Sequence, residues 1–281
     1  MNFKRQVLSG TIWTASSSGL TAFVQVLKLS ILTRFLDKSD FGLVAIVVLV
    51  LGFTHIFADL GVSVSLFSKD KISKKEYSSL YWVSLILAIF LYFGIVLIAP
   101  LVASFYRQDQ LVSLIPIMGL DLIISTAGRQ FRVFRQKALQ FKSLALIEMF
   151  SNILSLFVAV IIAMNGGGVW SIIYSTLFAS FFSSVCLIVT GLKSHPLILY
   201  INLRTGKSFY KIGFYQTGSQ ILDFLASQLD ILIIGRVMDT SSLGVYNLMK
   251  QLVSRVYTVI NPTITGVALP ALSKLKEQLE E

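Results

Sequence analysis

Long uninterrupted runs of apolar residues restrict the fold of this chain more than any other feature. The runs at 41–54, 80–105 and 153–164 exceed what the core of a soluble protein needs. A segment of about 20 apolar residues is long enough to cross a bilayer as a helix. Because 55% of the 281 residues are hydrophobic and only 14% are charged, the chain is predicted to be an all-α integral membrane protein.

The apolar pattern predicts eight transmembrane helices that are joined by short connections. No connection is long enough to form a domain of its own. The longest, at 193–207, contains a His-Pro pair and a glycine, and it is predicted to link two lobes. The helices are expected at 9–36, 41–67, 77–105, 111–134, 143–164, 168–192, 208–236 and 243–270.

Basic residues are concentrated on alternate connections. Of the 24 Lys and Arg residues, 17 are assigned to the termini and one set of connections, four to the other set, and three to helices. Because strongly basic connections stay in the cytoplasm, both termini are predicted to be cytoplasmic in a multi-pass protein of the cell membrane. The net charge of +10 is thus interpreted as a topology signal that also favours contact with anionic membrane lipids. Nucleic acid is not expected as a partner.

Residues 14–44 recur at 216–246 after a shift of 202 positions. Each copy has an apolar helix with one polar stripe, then the pattern R-x-x-D-x-x-x-x-G, then the start of another apolar helix. The stripe has the same 4, 3, 4, 3 spacing in both copies, which places its side chains on one helical face. The stripes are Thr14, Ser18, Thr21, Gln25 and Lys28 in the first copy, and Gln216, Gln220, Asp223, Ser227 and Asp230 in the second.

The repeat predicts two lobes that are related by pseudo-symmetry. Residues 1–200 are expected to form a first lobe of six helices, and residues 201–281 the first two helices of a second lobe. A complete second lobe would need four more helices. The chain is therefore expected to be part of a longer or split transporter.

Ionisable residues at membrane depth are costly and usually face a protein interior or a water-filled cavity. Lys28, Asp223 and Asp230 are predicted to face a cavity, because each lies on a stripe of further polar residues. Helices 1 and 7 are expected to meet across that cavity, so that Lys28 and Asp230 pair in one state of a transport cycle. The full set of predicted cavity residues is Thr21, Gln25, Lys28, Asp59, Asp223, Ser227, Asp230, Lys250 and Arg255.

Other polar groups in the predicted helices have a simpler interpretation. His55, Asp121 and Glu148 are expected to make structural contacts between helices. From its depth, Asp121 is also expected to join a cluster of two cations and two acids with Lys28, Asp230 and Lys250. No catalytic residue, cofactor or metal site is predicted, since the chain has one cysteine and no Ser-His-Asp pattern. An enzymatic function is therefore not expected.

Two stretches carry a resemblance to a known family. The residues LTRFLDKSDFGLVAIVVLV at 32–50 and FADLGVSVSLF at 57–67 resemble the polysaccharide flippases of the Wzx type. These flippases belong to the MOP exporter superfamily, together with MurJ and the MATE transporters. The resemblance implies two six-helix lobes that form a V around a central cavity, which holds the head group of a lipid-linked oligosaccharide.

The same resemblance implies roles for individual residues. Lys28 resembles the helix-1 cation that faces the pyrophosphate, and Asp59 resembles the acid of helix 2. Asp230 reverses the charge expected of a phosphate-binding group in the second lobe. Lys250 or Arg255 would then have to supply a cation from that lobe.

These observations predict a transporter that flips an undecaprenyl-linked glycan from the inner to the outer leaflet by alternating access. Its partners would be that glycan, membrane lipids and other polysaccharide assembly proteins. One alternative is a MATE-like antiporter, in which Asp59, Asp223 or Asp230 would bind a proton or Na⁺. Another alternative is a non-transporting membrane subunit of a polysaccharide assembly complex.

Overall fold

The computed structural model describes residues 3–59, 66, 72–202 and 207–254. No strand occurs among these residues, which confirms the predicted all-α class. The predicted ends of the second and eighth helices, at 67 and 270, lie outside this set, and so does Arg255. The helices are α1 (Phe3–Leu32), α2 (Lys38–Asp59), α3 (Lys74–Tyr106), α4 (Leu111–Lys137), α5 (Phe141–Met164), α6 (Trp170–Leu192), α7 (Lys207–Val237) and α8, described over 240–254.

Within the described residues, the six helices α1 to α6 are long and apolar enough to cross a membrane. The α7 helix has 31 residues, which is sufficient length, but its polar stripe lowers its hydropathy. These helices confirm a multi-pass membrane protein. The cytoplasmic location of the termini stays a prediction.

The first six helices pack into one bundle in which neighbours in space are often distant in sequence. The α4 helix lies between α3 and α6, and α5 lies between α6 and α1. The α2 helix packs against α4 on one side and against α7 on the other. It is therefore the main contact between the first lobe and the start of the second. The lobe boundary near residue 200 stays a prediction.

The connection between α6 and α7 is bound to the bundle over its described part, residues 193–202. The hydroxyl of Tyr77 donates to the carbonyl of Pro196 at 2.6 Å. The indole N–H of Trp82 donates to the carbonyl of Ile198 at 3.0 Å. Both donors lie in the first turns of α3, so this part of the predicted linker is fixed to the first lobe.

The two copies of the R-x-x-D-x-x-x-x-G pattern meet at one end of the molecule. A Cβ atom on Gly42 would lie 2.0 Å from the carbonyl oxygen of Thr240, and one on Gly244 would lie 1.8 Å from that of Lys38. Lys38 and Thr240 are equivalent under the 202-residue shift, so the contact is reciprocal. Only residues without a Cβ allow α2 and α8 to approach this closely. We call this the glycine contact.

Four basic residues that were counted with one basic connection lie inside α4, which continues to Lys137: Arg129, Arg132, Arg135 and Lys137. Two of them pair with acids of neighbouring helices, Arg129 with Asp59 and Arg132 with Glu148. The charge bias of the connections is therefore weaker than the sequence alone indicated.

Candidate functional site

A cavity of about 590 Å³ lies between α1 and α2 of the first lobe and α7 and α8 of the second, with α5 and α6 forming its inner wall. We call it the main cavity. Its wall is largely apolar, and its polar groups come from all of these helices except α2. The polar lining residues are Gln25, Lys28, Asn152, Ser155, Thr176, Gln228, Asn247, Lys250, Gln251 and Ser254.

Lys28 lines the main cavity and is held by two serines of the inner wall. Its ammonium group donates to Ser155 Oγ at 2.9 Å and to Ser175 Oγ at 2.7 Å. Each serine donates its own hydroxyl hydrogen to a backbone carbonyl, at 2.8 Å and 3.0 Å respectively. The lone pairs of both hydroxyls are therefore available to the ammonium group. Among the described residues, no carboxylate lies within salt-bridge distance of Lys28.

Lys250 also lines the main cavity, but its charge is balanced. Its ammonium group lies 2.8 Å from both carboxylate oxygens of Asp230 and donates to the carbonyl of Ser227 at 2.6 Å. Asp230 also accepts from the hydroxyl of Tyr246. Each lobe thus contributes one lysine to the main cavity: Lys28 on α1 from the first lobe and Lys250 on α8 from the second.

The predicted four-residue cluster does not form in this conformation. Asp230 pairs with Lys250, Lys28 binds serines, and Asp121 pairs with His55. The polar stripe of α1 turns toward α5 and α6, whereas Asp230 on α7 turns toward α8. Lys28 and Asp230 therefore each find partners within their own lobe, which is why the predicted Lys28–Asp230 pair is absent here.

A second cavity, of about 500 Å³, lies inside the first lobe between α1, α4, α5 and α6. We call it the polar cavity, because most of its lining residues carry a hydroxyl, amide or charged group. It shares Asn152 and Ala179 with the main cavity, so the two spaces are adjacent. Its remaining lining residues are Thr21, Ser125, Gly128, Arg129, Arg132, Glu148, Ser151, Ser180, Ser183, Ser184 and Leu187.

The other predicted cavity residues are distributed over several environments. Gln25 lines the main cavity and donates to Asn152 at 3.4 Å, and Thr21 lines the polar cavity. Asp223 is exposed on α7 and lines neither cavity. Ser227 is exposed and contributes its carbonyl to Lys250.

Asp59 lies in neither of the two cavities. It faces a small pocket of about 20 Å³ and lies 3.5 Å from Arg129. His55, one turn earlier on α2, lies 3.1 Å from Asp121 and 3.4 Å from Arg129. His55, Asp121 and Glu148 all contact neighbouring helices, as the sequence predicted.

Sequence reasoning missed the residues that hold Lys28. Ser155 and Ser175 lie 127 and 147 positions after Lys28. Ser155 shares a helical stripe with Glu148, Ser151 and Asn152, and Ser175 stands four residues after Ser171, so the sequence did carry a signal on these helices. Small polar residues inside transmembrane helices are a general signal for helix contacts, yet they do not identify the partner.

Comparisons with known proteins found one family model and several relatives. The sequence profile of a family described as "Polysaccharide biosynthesis protein" matches residues 31–281. The chain is 31% identical to the teichuronic acid biosynthesis protein TuaB of Bacillus subtilis, over 97% of this chain and 56% of that protein. It is 24% identical to the lipopolysaccharide biosynthesis protein WzxC of Escherichia coli, over 100% of this chain and 57% of that protein.

A third relative is described as a transport protein. The chain is 24% identical to the succinoglycan biosynthesis transport protein ExoT of Rhizobium meliloti, over 95% of this chain and 54% of that protein. The chain thus spans little more than half the length of the curated relatives it matches. No solved structure matches it.

Proposed function

Because the chain belongs to the polysaccharide biosynthesis protein family, as its resemblance to Wzx-type flippases predicted, we propose that it acts in polysaccharide export. The cargo in this proposal is an undecaprenyl-linked oligosaccharide, which moves from the inner to the outer leaflet of the cell membrane. The main cavity receives the charged head group and its sugars. The lipid tail stays in the bilayer beside the helices.

The observation that carries this proposal is the environment of Lys28. An ammonium group has three hydrogens, and the two serines use two of them. The third remains for a ligand in the main cavity, and no described carboxylate neutralises the charge. Lys28 is half-buried, and a charged group inside a membrane-spanning bundle usually faces an interior partner or a water-filled cavity. The phosphates of a lipid-linked sugar would be such a partner.

The second lobe supplies a further cation when the cargo is present. Lys250 is paired with Asp230 in this conformation, so a phosphate would compete with that carboxylate for the ammonium group. Amide and hydroxyl groups around the two lysines provide donors and acceptors for sugar hydroxyls. The main cavity therefore combines anion binding with sugar binding.

The charge of the main cavity disfavours the antiporter alternative. An organic cation would meet the unbalanced charge of Lys28, while the one nearby carboxylate in the described residues is occupied by Lys250. The proposed cargo and the cavity instead have complementary charge. Surface glycan and resistance to organic cations are therefore the two properties that separate these functions.

A deletion strain tests the proposal. Without the gene, lipid-linked repeat units are expected to accumulate in the cytoplasmic leaflet, where a glycosidase added to spheroplasts does not reach them. Normal surface polysaccharide in this strain would refute the proposal. Changed resistance to organic cations with intact polysaccharide would favour the antiporter.

Complementation of the deletion strain tests the site. Because a charge-assisted hydrogen bond contributes about 1.5–3 kcal/mol, Lys28→Ala is expected to slow export at least about tenfold. Lys28→Arg is expected to retain part of the activity, because it keeps the charge with different geometry. Lys74→Ala removes an exposed lysine at the start of α3 and provides the matched control. Equal export by Lys28→Ala and Lys74→Ala, at equal protein levels, would exclude Lys28 from the site.

A further inference from the structure

The polar stripe of α1 connects the main cavity with the polar cavity. Thr21 lines the polar cavity, whereas Gln25 and Lys28 line the main cavity. Their spacing of four and three residues places the three side chains on one face of the helix. At a rise of about 1.5 Å per residue, Thr21 lies about 10 Å from Lys28 along the helix axis. A ligand held at Lys28 can therefore extend along this face into the polar cavity.

The two cavities meet at Asn152 and Ala179, which line both of them. The side-chain amide of Asn152 donates to the carbonyl of Glu148 at 2.8 Å and accepts from Gln25 at 3.4 Å. The contact with Gln25 is long for a hydrogen bond, so a ligand can replace it at low cost. Two amides and a methyl group thus form the junction between the cavities.

Two polar atoms of this stripe are buried without a hydrogen-bond partner among the described residues. They are Thr21 Oγ1 and Gln25 Oε1. Buried polar atoms are nearly always paired, because an unpaired one costs free energy. Both atoms belong to side chains that line a cavity, where a small rotation would bring them to a ligand. The stripe therefore has hydrogen-bonding capacity that the described residues do not use.

Hydroxyl groups are the commonest polar groups in the lining of the polar cavity. Ser151 donates to the carbonyl of Ile147 at 2.6 Å, and Ser125 donates to that of Leu122 at 3.4 Å, so the lone pairs of both oxygens remain available. A hydroxyl both donates and accepts hydrogen bonds, as the hydroxyls of a sugar do. The serines of the lining are Ser125, Ser151, Ser180, Ser183 and Ser184.

The arginines that line the polar cavity lie beside carboxylates. Arg132 forms an ion pair with Glu148, and Arg129 lies 3.5 Å from Asp59. An ionic ligand would have to separate such a pair, which is costly inside a protein. A neutral ligand leaves the pairs intact and can still bind to them, because a guanidinium carries five N–H donors. The polar cavity is therefore better suited to neutral hydroxyl-rich groups than to ions.

We propose that the polar cavity binds the sugar units of the cargo that lie farthest from its phosphates. This inference rests on the proposed function, in which the phosphates lie at Lys28. The first sugar then lies beside Gln25 and Asn152, and later units enter the polar cavity. Its volume of about 500 Å³ is within the range of ligand pockets, about 300–1,000 Å³. The lysines bind the phosphates that every such lipid carries, whereas the polar cavity distinguishes one glycan from another.

Two reporter cysteines on α6 distinguish the cavities. Thr176 lines the main cavity, and Ser183, about two turns later, lines the polar cavity. Each is replaced by cysteine in the full chain with Cys186→Ser, which is then reconstituted in lipid nanodiscs. The rate of reaction with N-ethylmaleimide measures the access to each thiol. Asn165→Cys, in the exposed turn after α5, is the matched control.

The two probes differ in the presence of sugar. One is undecaprenyl diphosphate, and the other is the undecaprenyl-linked repeat unit extracted from the deletion strain. At about ten times its dissociation constant, a ligand that covers a thiol slows labelling about tenfold. Both probes are expected to slow Thr176→Cys to this extent. Only the probe with sugar is expected to slow Ser183→Cys, and neither should slow Asn165→Cys.

The outcomes separate this inference from the proposed function. If the probe with sugar slows Thr176→Cys but not Ser183→Cys, the inference is overturned and the proposed function stands, because the polar cavity then holds water only. Slower labelling of Ser183→Cys with undecaprenyl diphosphate would also overturn the inference, because binding there would not require sugar. If neither probe slows Thr176→Cys, the proposed function fails and the inference fails with it.

A substitution in the stripe tests the path of the sugars. Because Thr21 Oγ1 has no described hydrogen-bond partner, Thr21→Val is not expected to destabilise the fold. It should raise the concentration of the probe with sugar that protects Ser183→Cys about 2- to 10-fold, through loss of one hydrogen bond. Protection of Thr176→Cys by undecaprenyl diphosphate should stay unchanged. Thr33→Val makes the same change at an exposed position just after α1. Equal protection in both valine variants would contradict the proposed path along α1.

Discussion

Replacement of Gly42 by alanine is expected to separate α2 from α8 at the glycine contact. The new Cβ would lie 2.0 Å from the carbonyl oxygen of Thr240, whereas ordinary van der Waals contact begins at 3.4 Å. The backbone of one helix must therefore move by about 1.4 Å. A rigid carbonyl oxygen has no other rotamer, so the displacement involves the whole helix end.

The free-energy change can be bounded from this overlap. Overpacking of a close contact costs about 1–3 kcal/mol. The closed arrangement should therefore become about 5- to 150-fold less populated relative to a separated one. Alanine also stabilises a helix interior by about 0.5–1 kcal/mol relative to glycine, so α2 itself is not expected to unfold.

Distances between spin labels measure this separation. The labels are placed at Phe35→Cys and Met238→Cys, both exposed, in a Cys186→Ser background. Gly42→Ala is expected to shift the distance distribution toward longer values. Gly94→Ala is the matched control, because a Cβ on this α3 residue would meet nothing within 4 Å.

The pseudo-symmetry provides an independent check. Gly244→Ala makes the equivalent overlap, with a Cβ 1.8 Å from the carbonyl oxygen of Lys38. It should shift the distances in the same direction as Gly42→Ala. Distance distributions that match those of Gly94→Ala, in a protein with unchanged thermal stability, would refute the idea that these glycines are required for the helices to approach.

Three further predictions follow from the charges. Introduced cysteines at 166–168 are expected to react with an impermeant thiol reagent in intact cells and those at 129–142 to resist it; the opposite pattern would reverse the predicted orientation. The double charge swap at Lys28 and Asp230 is not expected to restore export, because Asp230 pairs with Lys250; recovery would contradict this pairing. Burial lowers the pKa of His195 in the folded protein, so the unfolded state takes up a proton first as the pH falls below about 6.5. The free energy of unfolding should therefore decrease over that range. Thermal unfolding of His195→Phe should lack this part of the pH dependence.

Several features of the fold could be predicted because their causes are local. A helix that crosses a bilayer needs a long apolar segment, so the helices α1 to α6 were evident from hydropathy. The R-x-x-D-x-x-x-x-G repeat was also evident, because both copies keep the same spacing. The role of the glycine in this repeat could not be predicted, because the contact of Gly42 with Thr240 joins residues 198 positions apart.

The sequence by itself determined the all-α class of the protein and the six long apolar helices α1 to α6. Tertiary structure decided the partner of each charge. Lys28 turns toward Ser155 and Ser175, and Asp230 turns toward Lys250. The physical reason is that a polar stripe defines a helix face but not the helix it faces. Packing between helices distant in the sequence sets that rotation, and a rotation of one residue position, about 100°, exchanges one partner for another.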